Sequence, residues 1–123
     1  MIAKISRGTN IVRLVRYLFG PGRYNEHTNQ RVIAAADSLG APCGVALSWD
    51  QVGDLGRRCD APHADFAVEV AKGHVWHLSL SNHRDDRALR DEEWAEVARR
   101  AMDAMGFTGG AGSAPCRWVA VSP

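Results

Sequence analysis

Hydrophobic and polar positions follow two different periods along this chain. Ile2-Ala3-Lys4-Ile5-Ser6 reads as a short strand, with Ile5 breaking strict alternation. After Gly8, Thr9 or Asn10 can cap a helix in which Ile11, Leu14, Val15 and Leu18 recur at helical spacing. Arg13 and Arg16 fall opposite that stripe, and Tyr17 lies toward the polar side. Gly20-Pro21-Gly22 ends the helix. Val32, Ile33, Ala36 and Leu39 suggest a second helix, capped by Thr28 or Asn29 and stopped by Gly40.

Residues 41–63 give a weaker pattern. Leu47-Ser48-Trp49 fits a short strand or a loop, and residues 51–59 a weak helix. Ala67-Val68-Glu69-Val70 reads as a strand, with a turn at Lys72-Gly73. Residues 74–81 alternate, placing Trp76, Leu78 and Leu80 on a face expected to be buried. The clearest helix spans about residues 91–105, with a stripe of Trp94, Val97, Ala98, Ala101, Met102 and Met105. Asp91, Glu92 and Glu93 suit its positive end, and Gly106 suits its C-terminal turn. A glycine-rich loop at 108–114 and a strand at 116–121 follow, then a tail at 122–123. The expected order is β-α-α-irregular-β-β-α-β. The expected fold is one α+β domain over residues 1–121, a largely antiparallel sheet packed against helices. Trp76, Trp94 and Trp118 are expected to share its core.

Composition narrows this reading. A chain of 123 residues with 46% hydrophobic content supports one core and argues against disorder. No apolar run is long enough for a membrane span, and Lys4 and Arg7 interrupt any signal-like opening, so a cytoplasmic location is expected. Net charge is only +1, but it is unevenly spread. Residues 1–31 hold six cations (Lys4, Arg7, Arg13, Arg16, Arg23, Arg31) against Glu26 alone, a local balance of +5. Such an end can neutralise phosphates or simply cover a solvated face. Cys43, Cys59 and Cys116 match no zinc template, and buried thiols are the default expectation. His74 and His77 are three apart on the expected strand and face opposite sides, so no metal site is assigned to them.

Several segments together resemble actinobacterial relaxases, the nucleases of plasmid mobilisation. They are residues 1–8 (MIAKISRG), 15–29 (VRYLFGPGRYNEHTN), 75–81 (VWHLSLS), 91–107 (DEEWAEVARRAMDAMGF) and 116–121 (CRWVAV). They occur in order over most of the chain. The resemblance implies an enzyme that nicks one DNA strand at a transfer origin. It implies Tyr17 as nucleophile, forming a 5′-phosphotyrosyl link, with Tyr24 as a competing candidate or a base-stacking ring. Arg7, Arg13, Arg16, Arg23 and His27 are the candidate DNA contacts, with surface or capping roles as their bland alternatives. The implied partner is single-stranded or hairpin DNA.

The chain departs from that pattern after Val121, where the family continues into paired histidines that hold magnesium or manganese. Ser122-Pro123 stands there instead. The expectation is therefore an incomplete relaxase-like domain, inactive alone and without its own cofactor. A second polypeptide or a dimer is expected to cover the incomplete sheet. The alternative is a non-catalytic structural or interaction protein, or half of a split relaxase.

Overall fold

The structure, a computed structural model, describes residues 1–66, 73–109 and 116–123. Its elements are β1 (Ile2–Gly8), α1 (Ile11–Phe19), β2 (Arg31–Ala35), a 3-10 turn (Asp37–Leu39), α2 (Trp49–Phe66), β3 (Val75–Ser81), α3 (Asp91–Ala104) and β4 (Val119–Ser122). The class is α+β, as expected. The strands form two antiparallel pairs, β1–β3 and β2–β4, rather than one sheet. The strand expected at 67–70 and most of the loop at 108–114 lie outside the described residues.

The helix expected at 32–39 is instead β2 and the 3-10 turn. Val32, Ile33 and Ala34 are all buried in succession, so the strand is apolar on both faces. A short run of that kind has no period that separates helix from strand. Asn29 does not cap; it takes a left-handed φ of 52°. A register shift between Val32 and Ala34 leaves Ile33 as the extra residue of a bulge. Val32 therefore joins a core of Val15, Leu39, Val52 and Leu55, whereas Ile33 and Ala34 join Ala95 of α3 in a second core. One strand thus serves both cores.

The weak helix expected at 51–59 is the 18-residue α2. Ser48 and Gln51 start it reciprocally. The Gln51 N–H donates to Ser48 Oγ at 3.2 Å, and the Ser48 N–H donates to Gln51 Oε1 at 2.8 Å. This is a capping box. Gly56 lets α2 approach α1 closely, since a Cβ there would stand 2.9 Å from the Val12 Cα. Pro62 has no N–H to donate to the Arg58 carbonyl four residues back. The Arg117 guanidinium donates to that carbonyl instead, tying the segment before β4 to α2.

Trp94 and Trp118 pack against the second core as expected. Trp76 does not belong with them: it is 42% exposed, with Arg7 over its ring and Phe107 at its edge. The thiols also depart from expectation, because Cys43 and Cys116 are exposed. Burial pushes the Cys59 thiol up, to about 11, so it is a poor thiolate.

The start of α3 is fixed by ion pairs. Arg31 donates to both Asp91 carboxylate oxygens, at 2.8 and 2.6 Å. Arg87 donates to Glu93 at 2.9 Å, and Glu93 also accepts the Arg90 N–H. Asp91 is thereby held below its ordinary 3.8, and Glu93 is lowered from 4.5 to about 2. Both groups are more acidic folded than unfolded. Their contributions are complete above the unfolded values and are lost as pH falls through the folded ones. The urea midpoint is expected to hold level down to about pH 4.5 and then decline toward pH 2, modestly, because these pairs are solvated. A Glu93 carboxyl titrating at 4.5 by NMR would remove the Arg87 pairing from the account.

Candidate nucleic-acid interface around Tyr17

The site is built on the outer face of α1 and the turn that follows it. The side chain of Asn10 caps α1 by accepting the Arg13 N–H at 3.0 Å. Val15 is 1% exposed and anchors the helix to the core. That anchoring turns Tyr17 outward, where it is 48% exposed. Arg13 lies four residues before Tyr17 and shares its face of the helix.

Residues 20–30 fold back against the tyrosine. The Gly20 carbonyl accepts a hydrogen bond from Gln30 Nε2 at 2.8 Å and contacts His27 Nδ1 at 3.2 Å. A carbonyl only accepts, so Nδ1 carries the proton, and Nε2 holds the lone pair in the neutral ring. The His27 backbone N–H donates to the Pro21 carbonyl at 3.1 Å. These bonds set the imidazole edge-on to the Tyr17 ring, with centroids 5.2 Å apart at 75°. The His27 side chain is only 9% exposed. The tyrosine and histidine singled out in the sequence are thus brought together.

Glu26 organises the rest of the turn. Its carboxylate accepts the Arg23 and Tyr24 N–H groups at 3.2 and 2.6 Å. Backbone N–H donation lowers its pKa. The carboxylate sits where a side chain on residue 22 would be: a Cβ on Gly22 would meet it at 2.7 Å, and φ there is +80°. Glycine is therefore required at that position.

The other candidates divide. Tyr24 is 78% exposed, with the Arg23 guanidinium over its ring at 5.6 Å. Arg7 is used elsewhere, donating to the Gly73 carbonyl at 2.7 Å and covering Trp76. Arg16 has a neighbour that the sequence reading missed. A Cβ on Gly53 would stand 3.0 Å from an Arg16 nitrogen and 3.2 Å from an Arg57 nitrogen. Two guanidinium groups therefore converge over this glycine. Among the described residues, neither Arg16 nor Arg57 forms an ion pair, nor do Arg13 and Arg23. These arginines therefore stand without an ion-pair partner, and the Glu26 carboxylate, 3.8 Å from His27 Nε2, is a negative charge on the same turn.

His74 pairs with Asp60 at 3.3 Å, and His77 is pushed toward its neutral form by burial. Among the described residues, no three His, Cys, Asp or Glu side chains are placed to hold a metal ion. No helix of the described residues is long and apolar enough to cross a membrane. Comparison with protein-family models, with curated proteins and with solved structures finds no match for this chain.

Proposed function

We propose that this chain is a relaxase-type protein that grips single-stranded DNA through its N-terminal third and presents Tyr17 to a backbone phosphate. The observation that carries the reading is the half-exposed Tyr17 ring held by the partly buried His27 ring beside Arg13 and Arg16. In the reaction, the Tyr17 phenol oxygen bonds to phosphorus and the bond from phosphorus to the 3′ oxygen breaks. The phenol proton passes to solvent, and the departing 3′ oxygen takes up a proton.

This chain's residues supply orientation and positive charge for that step. His27 restrains the phenol ring, and the arginines offset phosphate charge. A neutral phenol is a weak nucleophile near pH 7. A divalent ion would supply the electrostatic pull, and the donor groups of the described residues do not fit one. The reading therefore separates binding from cleavage. The test is anisotropy titration of labelled single-stranded and hairpin oligonucleotides at several salt concentrations, with products resolved on a denaturing gel after adding magnesium or manganese. Salt-dependent binding without an adduct is the expected result for this chain alone. An adduct that disappears in Tyr17→Phe would extend the reading to full activity. A folded sample that binds neither oligonucleotide would sink it.

A further inference from the structure

Helices α1 and α2 meet along two buried glycines of α2. Gly56 lies against the Val12 backbone, but Gly53 is covered only by the far ends of Arg16 and Arg57. A Cβ on Gly53 would stand 3.0 Å from Arg16 Nη2 and 3.2 Å from Arg57 Nη1. The two nitrogens therefore lie within about 6 Å of one another. One phosphate can bridge that spacing by accepting a charge-assisted bond of about 2.8 Å from each, on separate oxygens.

Like charges at such a spacing repel, and a negative group between them reverses the sign. The carboxylates on this stretch of α2 do not supply it. Asp54 pairs with Arg58 at 2.9 Å, and Asp50 forms no ion pair among the described residues. Alkyl stems alone could cover a buried glycine. Here, however, the charged nitrogens and not the stems stand nearest the position of the missing side chain. Both arginines are exposed, so an anion reaches them directly from solvent. The planar fork of arginine suits a tetrahedral oxyanion.

We propose that Arg16 and Arg57 form a discrete clamp for one phosphate group, seated over Gly53. Gly53 is the positioning residue, because its missing side chain lets the two forks close on one point. The clamp deepens the DNA reading by assigning one backbone phosphate to a fixed place, and it rests on that reading only for the source of the phosphate.

The test follows the arginine Nε–Hε resonances by NMR while sodium phosphate is titrated into the purified chain at constant ionic strength, without DNA. Arg16 and Arg57 are expected to shift together and saturate with one dissociation constant, on the order of 1–10 mM. Arg99 on α3 is expected not to saturate. Gly53→Ala keeps every charge but spreads the two forks, and is expected to weaken phosphate binding at least about fivefold. Arg57→Lys keeps the charge without the fork and is expected to do the same. If Gly53→Ala misfolds, Arg57→Lys decides alone. Shifts that never saturate, different constants for the two arginines, or unchanged binding by the folded variants would overturn the clamp and leave only diffuse charge.

A single-stranded oligonucleotide without terminal phosphates is then titrated into the chain and into Gly53→Ala. Weaker binding by the variant would assign the clamp to a backbone phosphodiester. Saturable phosphate binding by a folded sample that ignores the oligonucleotide would keep the clamp for free phosphate or a phosphomonoester and sink the DNA reading. Oligonucleotide binding without saturable phosphate binding would overturn the clamp and spare the DNA reading.

Discussion

Replacing Arg13, Arg16 and Arg57 together by alanine is expected to lower affinity for single-stranded DNA on the order of 100-fold near 100 mM salt. The slope of log affinity against log salt should fall in magnitude by about 2, from three lost phosphate contacts at about 0.7 each. All three arginines are exposed, and two converge over Gly53, so the fold should tolerate the change. The control is Arg99→Ala with Arg100→Ala on α3, where Arg100 already pairs with Glu96 at 2.8 Å. That double variant removes comparable charge but should leave the slope nearly unchanged. An equal loss in both variants would mean that net charge, not the surface around Tyr17, governs binding.

The second large effect concerns two glycines three residues apart on α2. Gly56→Val is expected to cost about 2–3 kcal/mol of folding stability, read from urea unfolding. Its Cβ would stand 2.9 Å from the Val12 Cα, a backbone atom that cannot turn aside, so α1 and α2 must separate. Gly53→Ala should have the opposite sign. Its Cβ would meet only the far ends of Arg16 and Arg57, at 3.0 and 3.2 Å. Those chains are flexible, and alanine gains up to about 1 kcal/mol of helix propensity over glycine. The same change displaces the two guanidinium groups, so DNA affinity should fall while stability holds or rises. A destabilised Gly53→Ala variant would show that the helices already touch there.

The contrast between these glycines explains what the sequence could reveal. Helices α1 and α3 were legible because their apolar residues recur at helical spacing between recognisable ends. The helix α2 was underestimated because Gly53 and Gly56 form part of its packed face, and glycine adds little to an apolar stripe. Its start was readable, since Ser48 and Gln51 have capping-box spacing. Strand β2 was misread because Val32, Ile33 and Ala34 are buried consecutively and imitate one turn of helix.

Similar reasoning applies to the candidate interface. Tyr17 and His27 could be named separately, but their ring contact depends on the turn that Glu26 and Gln30 hold in place. Arg57 could not be linked to Arg16 from spacing, because its approach depends on a missing side chain at residue 53.

The strand pairing has a further consequence for how the chain is made. Residues 2–8 pair with 75–81, and residues 31–35 pair with 119–122. The two pairings interlace, and neither is a hairpin. At roughly 5–20 residues per second, β1 must wait several seconds during synthesis before β3 exists. Helices α1 and α2 are both complete within the first 66 residues and can dock earlier. A cut anywhere between residues 36 and 74 would separate both pairings at once. The early chain is therefore a helical pair with unmatched strands, and Ile33 and Ala34 of β2 wait uncovered until Ala95 of α3 is made.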